Sequence, residues 1–169
     1  MSTQAEVEVS YDVSNEFFRL WLDERMNYTC GLYEDTDNLE EAQMKKLHWL
    51  ANAAHVEPGK RFLDIGCGWG ACLEFMATTK GVEDCTGITL SRSQHKEIME
   101  RGIPGVQAHV ISYADFEPEK KFDAVTSICM MEHIATPEQV RAGEHVALYR
   151  DYFKRAWEWT NPGAWFGLQ

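Results

Sequence analysis

A chain of 169 residues, 44% hydrophobic and 12% aromatic, is long enough to bury one core, and no linker or low-complexity run divides it. Its 27 Asp and Glu against 16 Lys and Arg give a net charge of −11, which argues against nucleic acid or an anionic membrane as the main partner. The five cysteines include no C-x-x-C pair and the amino terminus is unlike a signal peptide, so we expect a cytoplasmic protein with reduced thiols. No apolar run approaches the roughly 20 residues of a membrane span, so we expect no transmembrane segment.

Two helices are predicted ahead of the first strand. Ser14 is typical of a helix cap, and apolar residues follow it at helical spacing: Phe17, Phe18, Trp21 and Leu22. In the loop at 27–31, Tyr28 is the only residue expected in the core. Residues 38–55 have the clearest helical stripe in the chain and are predicted to start near Asp37 or Asn38 and to pack on the sheet.

The most informative stretch is a short apolar strand, 61–65, that runs into three glycines. Gly66, Gly68 and Gly70 stand at alternate positions, and Asp64 lies two residues ahead of the first glycine. Residues 71–79 are predicted to form a helix whose first N–H groups face a ligand, with the positive end of the helix dipole behind them. The spacing differs from the G-x-G-x-x-G of nicotinamide and flavin sites. The alternative is a glycine-rich connection that binds nothing.

The remaining elements alternate between strand and helix. Strands are predicted at 84–90, 106–111 and 122–129, with a helix from Ser91 to Arg101. Such alternation predicts an α/β fold with a doubly wound parallel sheet and ligands at the carboxyl ends of its strands. Residues 137–160 are predicted as one long helical region that Pro162-Gly163 ends, and a fifth strand is expected to start at Trp165 and to be cut short where the chain ends at Gln169.

The glycine run with its preceding acid resembles the first motif of the class I S-adenosylmethionine (SAM) methyltransferases. More narrowly, the chain resembles the cyclopropane-fatty-acid and mycolic-acid cyclopropane synthase family over four stretches: Tyr11-Asp12-Val13-Ser14-Asn15-Glu16-Phe17-Phe18, Tyr28-Thr29-Cys30, Leu63 through Gly70, and Gly87-Ile88-Thr89-Leu90-Ser91 with Gln94. The resemblance implies a Rossmann-like domain at 58–169, incomplete at its carboxyl end, under a helical lid segment at 1–57. It also implies a small-molecule or lipid-like acceptor, and it leaves homo-oligomerisation open.

The same resemblance assigns residues to the cofactor SAM: Tyr28, Thr29, Asp64, Gly66, Gly68, Gly70, Thr89, Leu90, Gln94, Tyr113 and Ala114. Most class I methyltransferases end the second strand in an acid for the ribose, whereas this family has a threonine and a glutamine, here Thr89 and Gln94. A neutral glutamine can hydrogen-bond a diol as donor and as acceptor. Tyr113 stands where an aromatic residue lies beside the adenine, and Ala114 replaces a side chain that often contacts the base. For each residue taken alone, the alternative is an ordinary exposed helix residue for Gln94, whereas Tyr113 is more often a core residue.

Three residues are candidates for the reaction. The family has a glutamate after the fourth strand that helps hold a bicarbonate ion, and here Glu132-His133 follows that strand; Cys30 matches a loop residue that helps bind the ion. In the synthases bicarbonate serves as the base after the alkene attacks the SAM methyl group. We expect a buried Glu132 carboxylate to disperse the cation charge. The alternatives are a helix cap for Glu132 and a structural role for His133. Cys67 and Cys72 lack paired ligands at zinc spacing, so no metal site is expected.

Two departures from the family keep several reactions open. An insertion of roughly a dozen residues, including Arg141, Glu144 and His145, is expected over the acceptor side of the site. Gln169 falls near the position of a bicarbonate-binding histidine in the fifth strand. The main expectation is methyl transfer to an alkene carbon of an apolar or amphipathic acceptor, as C-methylation or cyclopropanation. The alternatives are a small-molecule amine N-methyltransferase and a non-catalytic SAM-binding fragment.

Overall fold

One parallel sheet organises the chain. The computed structural model describes residues 9, 11 and 14–169, so Asp12 and Val13 of the first resembling stretch lie outside the described residues. The strands are β1 (Arg61–Ile65), β2 (Asp84–Thr89), β3 (Val106–Val110), β4 (Phe122–Ser127) and β5 (Thr160–Leu168). They pair in the order β3-β2-β1-β4-β5, every neighbouring pair parallel. The predicted α/β class with a doubly wound, Rossmann-like sheet is confirmed.

Helices cover both faces of the sheet. They are α1 (Asn15–Arg19), α2 (Leu39–Ala53), α3 (Ala71–Thr78), α4 (Arg92–Arg101), α5 (Pro137–Arg141) and α6 (His145–Glu158), and a one-turn 3-10 helix spans Met131–His133. Because neighbouring residues of a strand point to opposite faces, Phe62 of β1 packs in the cluster of α2 and α3, whereas Leu63 packs in the cluster that includes Tyr152 of α6. The sheet is thus buried on both sides, as a parallel sheet requires.

Three helix starts lie where their capping residues predicted. The side chains of Ser14, Asn38 and Ser91 accept hydrogen bonds from the backbone N–H groups of Phe17, Glu41 and Gln94. Through Leu47 and Ala51, α2 shares a core cluster with β1 and α3, so its predicted packing on the sheet is confirmed. The division of the chain at residue 57 stays a prediction.

The carboxyl-terminal part differs from expectation in two ways. The region 137–160 is two helices rather than one, because the turn at 142–144 contains Gly143 with a φ of 78°. Strand β5 begins at Thr160, ahead of Pro162-Gly163, and not at Trp165. A register shift in β4–β5 pairing between Phe122 and Ala124 accommodates this segment, and a bulge is a position where a strand tolerates proline.

Burial in the amino-terminal region also corrects the sequence-based expectation. Phe18 is buried, but Phe17 and Trp21 of the predicted apolar face are 52% and 45% exposed, because α1 is little more than one turn long. In the loop that follows, Tyr28 is 47% exposed whereas Asn27 is buried. The Asn27 backbone N–H and side-chain Nδ2 each donate to the Asp23 carboxylate at 2.6 Å, which satisfies the polar groups that burial would otherwise leave unpaired.

Candidate cofactor and active site

A cavity of about 750 Å³ opens at the carboxyl ends of the strands, the edge where parallel α/β sheets bind ligands. Gly70 and Ala114 do not line this cavity. All the other residues predicted to bind the cofactor or to take part in the reaction do: Tyr28, Thr29, Cys30, Asp64, Gly66, Gly68, Thr89, Leu90, Gln94, Tyr113, Glu132 and His133. These residues come from five separate parts of the chain. Arg141, Glu144 and His145 of the expected insertion do not line it.

The three glycines of the turn have different physical reasons to be glycine. All have positive φ, but a Cβ on Gly66 would meet the Met130 side chain at 2.7 Å, and one on Gly70 would meet Ile98 of α4 at 2.7 Å. A Cβ on Gly68 would meet nothing within 4 Å. Gly70 therefore serves the packing of α3 against α4, while Gly68 borders the open space of the cavity.

Asp64 is a buried carboxylate in the wall of the cavity. Burial raises its pKa to about 6, and the hydrogen bond from the Thr126 hydroxyl, 2.8 Å from Oδ1, offsets this only in part. Lys46 of α2, itself 4% exposed, lowers the pKa of Asp64 further but forms no close ion pair with it. Removing a carboxylate from water costs stability, and such groups concentrate at functional sites.

Thr89 and Gln94 form one hydrogen-bonded unit at the end of β2. The Ser91 N–H donates to Thr89 Oγ1 at 3.2 Å, and the Thr89 hydroxyl donates to Gln94 Oε1 at 2.7 Å. Because the hydroxyl engages the amide oxygen of Gln94, a residue that lines the cavity, the Nε2 donors of Gln94 are left for another partner. Asp84, the acid of this strand, pairs with Arg61 at 2.6 Å, at the opposite edge of the sheet.

The two residues predicted beside the adenine differ in position. Tyr113 lines the cavity, is 6% exposed and packs edge-on against Tyr152, with ring centroids 5.2 Å apart. Ala114 packs against the core on the Tyr152 side of the sheet and does not line the cavity. Their contacts with adenine, like that of Leu90, stay predictions.

The Thr29 segment is attached to α2. Gln43 donates from Nε2 to the Thr29 carbonyl oxygen at 2.7 Å, and Lys46 donates from Nζ to the Thr29 hydroxyl. Burial lowers the pKa of Lys46, and nearby acidic groups, including Asp23 and Asp64, oppose that shift. Gln169 Nε2 donates to the neighbouring Cys30 carbonyl at 3.1 Å, so this loop is also held to the end of β5.

Glu132 and His133 lie at the rim of the cavity on the 3-10 helix. The expectation of a buried Glu132 carboxylate is wrong, because Glu132 is exposed on a helix of one turn. It is not the capping residue, a position that Met130 occupies. Burial first, and then the charges of Glu132 and Cys30, raise the pKa of the Cys129 thiol, so Cys129 lies near both.

Several lining residues were not predicted as site residues. Trp69 donates from Nε1 to Asn15 Oδ1 at 2.9 Å and packs on Phe18 with centroids 4.6 Å apart, which ties α1 to the glycine turn. Tyr11 lies 3.3 Å from His133, measured from Oη to Nε2. Gln43 could have been found from the sequence, because it is a polar residue on the otherwise apolar stripe of α2.

Backbone strain also concentrates at this cavity. Met26 and Cys129 both line it, and both are non-glycine residues with positive φ, 58° and 50°. A non-glycine residue in this region of φ/ψ costs stability and persists only where its surroundings fix it, and such residues cluster at functional sites. Neither residue has a sequence signal for this conformation.

Among residues 9, 11 and 14–169, no group of three His, Cys, Asp or Glu side chains is arranged to hold a metal ion. Burial raises the pKa of Cys67 and of Cys72 well above the ordinary range, so both remain thiols at neutral pH. In the same part of the chain, none of the helices has the length and apolar character to cross a membrane.

Comparisons with known proteins agree on one family. The sequence model described as "Mycolic acid cyclopropane synthetase" matches residues 1–169. The cyclopropane-fatty-acyl-phospholipid synthase of Escherichia coli K12 is 37% identical over 124 residues, which cover 73% of this chain and 32% of that protein. Cyclopropane mycolic acid synthase 2 of Mycobacterium tuberculosis CDC 1551 is 36% identical over 133 residues, covering 76% of this chain and 44% of that protein.

A solved structure matches in fold as well. The mycolic acid cyclopropane synthase CmaA1, complexed with SAH and CTAB, superposes with a TM-score of 0.82 and 28% identity over 95% of this chain and 54% of that chain. The chain thus spans about a third of the length of the E. coli relative and about half of the CmaA1 chain.

Proposed function

Because this chain belongs to the mycolic acid cyclopropane synthetase family, we propose that it binds SAM and transfers the methyl group to an alkene carbon of an apolar or amphipathic, lipid-like acceptor. One observation carries the proposal: a single cavity at the carboxyl edge of the sheet gathers cofactor and reaction candidates from five separate parts of the chain. The relatives are longer than this chain, so the activity of the whole protein is part of the proposal.

The cavity fits an adenosyl cofactor. Open space beside Gly68 lets a ligand approach the backbone, and the Gln94 Nε2 donors suit a ribose hydroxyl. The α3 amino terminus adds the positive end of a helix dipole next to the turn. When bound, SAM supplies an electrophilic methyl group on a sulfonium. The CmaA1 relative was solved with SAH, which supports the same cofactor here.

The acceptor class follows from the apolar part of the cavity wall. Trp21, Leu22, Met26 and Leu39 line the cavity, and their apolar side chains would accommodate a hydrocarbon chain. The names of the two relatives, a fatty-acyl-phospholipid synthase and a mycolic acid synthase, agree with a lipid-like acceptor.

Glu132 has an electrostatic role in this proposal. Methyl transfer to an alkene leaves a cation, and a carboxylate at the rim stabilises that charge as it develops. Since Glu132 is exposed, the effect depends on the acceptor excluding water from the rim. Cys30 and Glu132 line the same cavity, and the charges of both raise the pKa of the Cys129 thiol, which supports bicarbonate as a base bound in this part of the cavity.

Gln169 favours a second candidate reaction, methylation without ring closure. In the family a histidine near this position helps hold bicarbonate, whereas here an amide donates to the Cys30 carbonyl and has no proton-accepting nitrogen. Transfer to an alkene with loss of a proton from the acceptor, or transfer to an amine with Glu132 or His133 taking the proton, both fit these residues.

Isotope labelling tests the proposal. The protein is incubated with SAM carrying a trideuterated methyl group and with vesicles of a cis-unsaturated phospholipid, and in parallel with a panel of small amines. A cyclopropane keeps two deuterium atoms, because one leaves as the ring closes, whereas a methyl product keeps three. We expect label in the phospholipid. Label in amines alone would support an amine N-methyltransferase. SAH binding without transfer to any acceptor would support a non-catalytic SAM-binding fragment.

A further inference from the structure

Gln43 is a buried side chain with a hydrogen-bond acceptor that the protein leaves unused. It is 2% exposed, and its Nε2 donates to the Thr29 carbonyl oxygen at 2.7 Å. That partner can only accept, so it fixes which amide atom is nitrogen and which is oxygen. Within the described residues, the buried Oε1 has no hydrogen-bond partner. Gln43 also lines the cavity, which makes Oε1 a candidate acceptor for a donor group of a ligand bound there.

The position of Gln43 indicates which part of the cofactor it meets, an argument that rests on the proposed function. Along the sheet from β3 to β4, the first candidate contact is Tyr113, for the adenine, and the second is Gln94, for the ribose. The glycine turn at Gly68 comes next. The amino-acid end of the cofactor therefore extends beyond β1. There the wall is built by the Thr29 loop, which α2 and Gln169 hold in place.

We propose that Gln43 Oε1 accepts a hydrogen bond from the α-ammonium group of the bound cofactor. An oxygen with only lone pairs to offer needs a donor, and the ammonium is the donor-only group of the amino-acid end. The α-carboxylate has a complementary partner nearby. The Thr29 hydroxyl, which accepts from Lys46 Nζ, keeps its own proton to donate. Gln43 thus has two roles, holding the Thr29 carbonyl and binding the ligand.

The test compares two ligands by titration calorimetry: SAH, and the same molecule without its α-amino group, 4-(adenosylthio)butanoate. Gln43→Met and Gln43→Glu both lose the Nε2 donor to Thr29, but only Glu keeps an acceptor at the Oε1 position, and its negative charge also attracts an ammonium group. The measured quantity is the ratio of the two affinities. We expect Gln43→Met to reduce the preference for SAH by roughly 10- to 150-fold, the effect of a hydrogen bond to a charged group, and Gln43→Glu to retain it.

Three results would overturn the assignment while leaving the proposed function intact. These are equal affinity of the parent protein for the two ligands, a parent-like ratio in Gln43→Met, and the same loss of ratio in both variants. The first needs no variant, so the test stands even if Gln43→Met fails to fold. No binding of SAH by the parent would instead remove the proposed function itself, and the role of Gln43 with it.

Discussion

The floor and the rim of the cavity differ in how far the protein has already arranged their polar groups. On the floor, Thr89 and Gln94 are hydrogen-bonded to each other, Asp64 is held by Thr126, and all four are at least nine-tenths buried. On the rim, Glu132 is exposed and lies on a one-turn helix. A preorganised floor suits a cofactor that binds in one pose, whereas an exposed rim reaches full electrostatic strength only when an acceptor covers it.

Substitution of Glu132 at the rim should lower the turnover rate and leave the affinity for SAH unchanged. We expect Glu132→Gln to lower kcat on the order of a hundredfold or more, because the lost carboxylate acts on charge that develops only in the transition state. SAH affinity by calorimetry should stay as in the parent. Glu138→Gln, on the surface of α5 and outside the cavity, is the control. Parent-like turnover in Glu132→Gln would leave that residue without a catalytic role.

Substitution of the buried acid on the floor should change stability in a pH-dependent way. The folded-state pKa of Asp64 is about 6, above its ordinary value of 3.8, so the parent loses stability as pH rises from about 4 to about 6. Asp64→Asn has no such loss and should be more stable than the parent above pH 6, by no more than about 3 kcal/mol, with the gain absent below pH 4. Urea unfolding of the parent and of Asp64→Asn at pH 4 and pH 7.5 measures this difference in the free energy of unfolding.

Asp123 supplies the control with the opposite sign. A hydrogen bond from the Arg61 backbone N–H lowers the pKa of Asp123. Its ionised form therefore stabilises the fold above its ordinary pKa, and that contribution is lost as pH falls through the lowered value. Asp123→Asn should thus be less stable than the parent at pH 7.5. A pH-independent effect of Asp64→Asn would show that this carboxylate is solvated in solution.

The hydrogen-bonded unit at the end of β2 should control cofactor affinity. Gln94→Leu leaves a ribose hydroxyl without its partner, which costs about 1–3 kcal/mol, or roughly 5- to 150-fold in SAH affinity. Gln107→Leu is a matched control, because Gln107 also bonds a threonine of β2, Thr86, but lies outside the cavity. Equal SAH affinity of Gln94→Leu and the parent would move ribose recognition to another residue.

The sequence predicted the floor better than the rim. An apolar strand followed by glycines at alternate positions is compatible with few local structures. Ser14, Asn38 and Ser91 marked helix starts, because their side chains accept hydrogen bonds from backbone N–H groups a few residues on. The exposure of Glu132 depends on how a single 3-10 turn sits on the edge of the sheet, which no local pattern encodes.

The other wrong predictions concern pairings between side chains or strands that the residue pattern does not show. Asn27 is buried because Asp23 accepts from its backbone N–H and from its Nδ2, a pairing that residue hydrophobicity does not indicate, whereas Tyr28 is exposed. Strand β5 includes Pro162 because its pairing with β4 shifts register there, whereas Pro162-Gly163 predicted only the end of a helical region, with the strand starting at Trp165. The unused acceptor of Gln43 likewise follows from packing, although its place on an apolar stripe was a visible signal.

Calorimetric titration of SAH into two matched glycine variants tests the cofactor site most directly. Gly68 and Gly102 have similar φ angles, 52° and 59°, and a Cβ on either would meet nothing within 4 Å. Alanine at either should therefore cost about the same stability, about 1–2 kcal/mol, but only Gly68 borders the cavity. We expect Gly68→Ala to weaken SAH binding roughly 5- to 150-fold, as an added methyl group in an occupied space does, and Gly102→Ala to bind as the parent does. Equal SAH affinities in the two variants would contradict cofactor binding against the glycine turn.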